Sequence, residues 1–122
     1  MLKNDLYTVI SFEDNAGSVA AAIGLNTEHQ IFDGHFPGQP VLPGVCMMQI
    51  VKELAEEATG KKLFLSNAAQ CKFLSMVDPK KTPELMVAID YQQPGENTVA
   101  INAVLKSGEA TFFKMNASLE II

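Results

Sequence analysis

Histidine titrates closest to neutral pH, so one well-placed imidazole can take up a proton and give it back. The chain has two, His29 and His35. His35 opens the run His35-Phe36-Pro37-Gly38-Gln39-Pro40-Val41-Leu42-Pro43-Gly44-Val45, which holds three of the six prolines and two of the eight glycines. The prolines fix φ, so such a loop loses little entropy when it orders. Glycine lets backbone pass close to another group. Pro43 stands where a helix begins, a position at which its missing N–H would have no partner anyway. Unspent N–H groups at a helix start can hold negative charge on an oxygen. A proton-accepting ring and a helix start on one rigid loop are the parts of a proton-transfer site. A third polar group, Gln49, falls at the apolar beginning of that helix and needs partners there. Its amide can donate a hydrogen bond but not a proton. His29 lies in a polar loop and reads as an ordinary satisfied residue.

The helix that follows the loop is the one long helical pattern of the chain, Val45 to Thr59. From Val45 to Val51 only Gln49 is polar, and a helix apolar on every side is expected to be buried on every side. The run is too short to span a bilayer, which takes ~20 apolar residues. From Lys52 the pattern becomes amphipathic, and Glu53, in that half, is expected in water. Gly60 is a natural stop. Before the helix, Leu6 to Phe12 and Ser18 to Leu25 read as strands, separated by the turn Glu13 to Gly17, with a polar loop from Asn26 to Gly34. After it come Leu63 to Val77, with an expected irregularity, then Leu85 to Tyr91, Thr98 to Lys106 and Ala110 to Ile121. Two strands, a helix and four strands argue for an antiparallel α+β layer in one domain, residues 1–122. The sheet should curve around the helix. Because six strands cover only part of an apolar helix end, a partner protomer is expected to cover the rest.

Composition narrows the function. A formal net charge of −5 argues against general nucleic-acid binding. All nine basic residues are lysines, so no guanidinium fork is available. Cys46 and Cys71 sit in apolar runs and read as two buried free thiols in a reducing, cytoplasmic setting. No signal-peptide pattern opens the sequence. No metal-ligand spacing, phosphate-cradling glycine loop or nucleophile–base pair stands out, and no cofactor is expected. Lys61, Lys62, Lys80 and Lys81 are candidates for docking an acidic carrier.

The run from His35 to Val45 resembles the signature of the β-hydroxyacyl-acyl-carrier-protein dehydratases of fatty-acid synthesis, the FabZ and FabA type. The similarity is ungapped over the whole run. Lys72 to Pro79 resembles the family's segment after the helix more faintly. The resemblance implies a hot-dog fold, a homodimer or dimer of dimers, and a tunnel for acyl chains at the subunit interface. It implies a 3-hydroxyacyl thioester substrate on an acyl carrier protein or CoA. It makes His35 the base for the C2 proton and Gly44 the N–H donor to the thioester carbonyl. Val41 falls where a backbone carbonyl orients the imidazole, and Phe36, Gly38, Val41, Pro43, Val45 and Met48 fall along the bound acyl group. The family's acidic partner comes fourteen residues after the histidine. Here that residue is Gln49, a departure at a catalytic position.

The chemistry explains why this departure matters. Dehydration removes a weakly acidic C2 proton, builds enolate charge on the thioester oxygen and expels a hydroxide. The last step needs a proton donor, worth ~10² to 10⁴-fold, which an amide cannot be. Either His35 serves both steps or a substitute such as Glu53, one turn on, takes part. Two other functions fit the same parts: a hot-dog acyl thioesterase, which needs a carboxylate to activate water, and a non-catalytic acyl-binding or partner subunit.

Overall fold

The computed structural model describes residues 2–34 and 38–122, with the side chains of residues 67–69 outside the description. His35, Phe36 and Pro37 therefore lie outside the described residues, and with them the expected contact between His35 and Val41. The elements are β1 (Tyr7–Asn15), β2 (Ser18–Leu25), α1 (Ile31–Gly34), α2 (Gly44–Thr59), β3 (Leu63–Phe73), β4 (Glu84–Gln92), β5 (Thr98–Ser107) and β6 (Ala110–Ile121). All six strands join one antiparallel sheet in the order β1-β2-β4-β5-β6-β3.

Alternation along each strand sets the inner face. Val99, Ile101, Ala103 and Leu105 of β5 are buried, as are Phe113, Met115 and Leu119 of β6. Their neighbours Asn102, Lys106, Lys114 and Asn116 face out. α2 lies against the inner face through Cys46, Met47, Ile50, Val51, Leu54 and Ala55. This is the hot-dog arrangement expected above. Gly60 ends α2 at φ 68°, donating its N–H to Glu56 O at 2.8 Å.

Four local differences from the sequence reading have identifiable causes. β1 runs on to Asn15, because Ala16 and Gly17 at positive φ make the turn in two residues. The polar stretch before the loop holds the short helix α1, whose first N–H, Ile31, donates to His29 Nδ1 at 3.0 Å while Phe32 is buried. β3 stops at Phe73 rather than Val77, because Val77 O turns away to accept Leu42 N–H at 2.9 Å. Its pairing with β6 slips between Leu65 and Asn67 and again between Asn67 and Gln70, the irregularity anticipated. Finally, the start of α2 is not buried on every side: Val45 is 73% exposed. One sheet shields one flank of a helix, so the flank that carries Val45 stays open.

Candidate active site

The segment before α2 fixes where the helix starts. Pro43 caps α2 in an extended conformation (φ −63°, ψ 146°), with no side chain among the described residues bonding to the helix start and no acidic residue in the first turn. Cys46 N–H and Met47 N–H both turn to Pro43 O, at 3.0 and 3.2 Å. The N–H groups of Gly44 and Val45 meet no acceptor among the described residues. A sixteen-residue helix with an uncapped start presents partial positive charge there.

This terminus opens into an apolar groove of about 530 Å³ lined by Val41, Leu42, Gly44, Met47, Phe73, Leu74, Ser75 and Met76. Phe73 closes over it: a Cβ on Gly44 would come within 2.6 Å of Phe73 Cε1. Only glycine permits this approach. The Phe73 ring rests on Phe113, centroids 4.9 Å apart, yet is 55% exposed. Beside it Leu74 and Met76 are exposed too, so the groove wall is a large uncovered apolar surface.

The expected site residues that are described divide into four groups. Gly44 and Val41 line the groove, and Pro43, which does not line it, precedes Gly44 as the helix cap. Gly38 lines a separate polar hollow with His29, Asp33 and Lys80. Val45 and Met48 belong to the partly open flank of α2 and do not line the groove. Gln49 faces elsewhere again.

Gln49 Nε2 donates to Glu53 Oε2 at 2.8 Å. Glu53 is 5% exposed, so the expectation that it stands in water is overturned. A buried carboxylate is costly unless satisfied, and this one is saturated. Oε2 also accepts Leu2 N–H at 2.9 Å; Oε1 accepts Lys3 N–H at 2.9 Å and the Tyr7 hydroxyl at 3.0 Å. Burial pushes the Glu53 pKa up, but the hydrogen bonds from Leu2, Gln49, Tyr7 and Lys3 outweigh it and hold the pKa below the usual carboxylate range. The Tyr7 phenol moves up, through burial first and the neighbouring Glu53 charge second. Two consequences follow. Glu53 holds no proton to donate, and no lone pair remains to activate water. Its acceptor-only oxygens also turn the Gln49 NH₂ towards it, and Gln49 Oε1 meets no donor among the described residues. The i, i+4 pairing of Gln49 and Glu53 was visible in the sequence. The donors from Leu2, Lys3 and Tyr7 were not, since they come from 46 to 51 residues away.

His29 is placed structurally: Nδ1 accepts Ile31 N–H and Nε2 meets Asp5 Oδ2 at 3.2 Å. Both ring nitrogens are occupied. Cys46 is buried and Cys71 half-buried, and both thiols are free. No helix among the described residues is long and apolar enough to cross a membrane.

The model of the ApeI-like family, described as ApeI dehydratase, matches residues 11–111. The dehydratase FabZ of Latilactobacillus sakei is 29% identical over 89 residues, which is 67% of this chain and 63% of that protein. FabZ of Rickettsia massiliae is 36% identical over 70 residues, 51% of this chain and 48% of its own. The chain thus spans between about half and two thirds of the length of these relatives. Among solved structures, a chain of the dehydratase heterocomplex ApeI:P from Xenorhabdus doucetiae superposes with a TM-score of 0.74 at 23% identity, covering 92% of this chain and 96% of that one. A hypothetical thioesterase with coenzyme A from Streptococcus pneumoniae reaches 0.65 at 10% identity, covering 98% and 90%. At these identities the structural likeness speaks for the hot-dog fold.

Proposed function

The chain belongs to the ApeI-like dehydratase family, and from that membership we propose that it acts on acyl thioesters as a 3-hydroxyacyl dehydratase, in a single hot-dog domain that works as a dimer. The observation that carries this reading is the uncapped start of α2 opening into the apolar groove. A thioester oxygen set against the N–H groups of Gly44 and Val45 would have its developing enolate charge held by the helix start. The acyl chain would lie along Val41, Met47, Leu74 and Met76. His35, whose loop runs directly into this helix, takes the C2 proton. As the C3–O bond breaks, the imidazolium returns that proton to the departing hydroxide, so the products are an enoyl thioester and water. In this scheme His35 alone moves the proton, because Gln49 has none to give and Glu53 is locked. Turnover should therefore be slow for the family.

A second reading has its own support. With Gln49 held by Glu53, this chain presents no acid of its own at the position where the family carries one. It would then pair with a homologous subunit that retains the acid. The thioesterase alternative lacks the carboxylate it requires, because all four acceptor positions of Glu53 are taken. The open flank of α2 around Val45 and the unpaired edges β1 and β3 support a subunit interface in either case.

The test is incubation of the purified protein with crotonyl and 3-hydroxybutyryl thioesters, following enoyl absorbance and thiol release together. Interconversion without thiol release is the expected result. Thiol release would make it a thioesterase, and inactivity at high protein concentration would leave the partner-subunit reading.

A further inference from the structure

The outer face of the sheet, turned away from α2, has an unusual make-up. Water-facing positions of an antiparallel sheet are ordinarily polar, and alanine is among the residues that strands disfavour. Here Ala20 of β2, Ala88 of β4 and Val104 of β5 stand in one row across three neighbouring strands. Ala22 and Met86 pair in the next row, and Met86 is 42% exposed. The core is packed by their strand neighbours, such as Ala21, Val87 and Leu105, which face the other way. The charges of the outer face are sorted. Glu13 of β1 and Glu84 and Asp90 of β4 lie on one half; Lys106 of β5, Lys114 of β6 and Lys72 of β3 lie on the other. The row through Ala88 shows this most simply. It reads Glu13, Ala20, Ala88, Val104, Lys114, Lys72 from edge to edge. None of these six charged groups forms an ion pair among the described residues, and Lys72 and Lys114, direct register partners, repel each other within the chain. Glu120, at the far end of β6, is an exception to the division.

We propose that this face pairs with the same face of a second copy of the chain, about a two-fold axis that runs along the strands between β4 and β5. Such an axis lays β4 on β5, β2 on β6 and β1 on β3 of the other copy. Ala88 then meets Val104 of the other copy, and Glu13 meets its Lys72, each contact occurring twice. Lys106 of the other copy lies over Met86, its stem on the apolar side chain and its ammonium towards Glu84, two residues on. A two-fold axis across the strands would instead set each strand on its own copy, lysine on lysine and carboxylate on carboxylate, and charge rules it out. Because the sheet curls around α2, its outer face is convex. Contact therefore runs along the central strands, where small side chains let two backbones approach, and the long side chains of the rim reach across the widening gap. Edge protection by lysine accounts for Lys72 on β3, but not for lysines and carboxylates kept on opposite halves. The surface lies on the far side of the sheet from the groove and from the open flank of α2. It joins dimers into a tetramer, and it does not depend on the chemistry of the groove. Its centre holds few large apolar groups, so this pairing forms at higher concentration than the dimer does.

The experiment is sedimentation of the full chain at low micromolar and at submillimolar concentration, in low and high salt. The wild type should pass from dimer to tetramer as concentration rises, and less readily in high salt. Ala88→Arg sets two bulky cations beside the axis and should abolish that step, with the melting temperature at low micromolar concentration unchanged. Glu13→Lys and Lys72→Glu should each weaken the step about tenfold at low salt, since each turns two attractive contacts repulsive. Combining them should restore most of the loss. Glu13 and Lys72 lie on opposite edges of one sheet, so that recovery can come only from contact between copies. A wild type that never associates beyond the dimer overturns the proposal. So does Ala88→Arg associating as the wild type does, which would leave the face to a different partner protein. Single variants that weaken the step without recovery in the double variant overturn the axis and the pairing with it. If the wild type is a monomer at low micromolar concentration and a dimer above, and Ala88→Arg abolishes that dimer, the outer-face pairing stands and the dimer drawn from the α2 flank fails.

Discussion

Replacing Gln49 with glutamate tests the site at its most unusual point. The new carboxyl would stand where Gln49 Nε2 now lies, 2.8 Å from Glu53 Oε2. Two ionised groups cannot share that geometry. With charge centres ~5 Å apart and an effective dielectric of ~20, their repulsion is ~3 kcal/mol, or ~2 to 3 pK units. The pair would therefore keep one proton up to about pH 7 in the folded state, against ~4.3 for the unfolded glutamate. The sign is that of a raised pKa. Gln49→Glu should match the parent in stability near pH 4.5, lose about 1.4 kcal/mol per unit as pH rises, and level off ~3 kcal/mol lower above pH 7. The same raised pKa suits a proton donor, so crotonyl thioester hydration should rise at least tenfold near pH 6–7, about 1.4 kcal/mol in barrier. Melting curves from pH 4.5 to 8.5 and initial rates over the same range measure both. A stability difference that does not change with pH would show that the two side chains do not meet. The expected pH dependence without any rate gain on short, medium and long acyl groups would remove the dehydratase and leave the partner-subunit reading.

Four further outcomes follow from the same geometry. Glu53→Gln puts an NH₂ against donors from Leu2, Lys3 and Tyr7 and should cost ~2–3 kcal/mol at pH 7; because the Glu53 pKa is depressed by those bonds, its stabilisation is present above the usual carboxylate range and lost as pH falls through the folded value, so the variant's melting temperature should depend less on acid than the parent's. Gly44→Ala drives a methyl group into Phe73 and should destabilise by ~1 kcal/mol after the better helix propensity of alanine is counted; adding Phe73→Ala should relieve the clash, which thermal melts of the double variant will read. His35→Ala should abolish thioester turnover with no change in melting temperature, and a folded variant with full activity would remove His35 from the mechanism. Sedimentation should give a dimer at micromolar concentration, and a stable monomer would contradict the interface drawn from Val45 and the strand edges.

Much of the fold was legible because its signals are local. Alternation gave β5 at nearly its true length, the Pro43-Gly44 pair marked the start of α2, and Gly60 marked its end. The early stop of β3 was not legible, since it depends on Val77 O accepting from Leu42, thirty-five residues earlier in the chain. The site divides in the same way. The groove start could be read from Val41 to Gly44, because loop chemistry and helix initiation lie within a few residues. Glu53 was misread because helical periodicity places it on the polar half of α2. Its burial is decided by backbone donors at Leu2 and Lys3 that no window around residue 53 contains.

The strand order has a consequence for how the chain is made. β3 leaves the ribosome directly after α2, but the strand it pairs with, β6, is the last of the six, and both β4 and β5 must be synthesised in between. At ~5–20 residues per second, Leu63, Phe64 and Leu65 wait for seconds without a strand beside them. Phe64 stays exposed even in the finished fold. Nascent chains cut off before Ala110 should therefore associate through β3 and call on chaperones more than the complete chain does. Ribosome pausing within β5, between Thr98 and Ser107, would lengthen that interval and lower the yield of folded protein without altering a single residue.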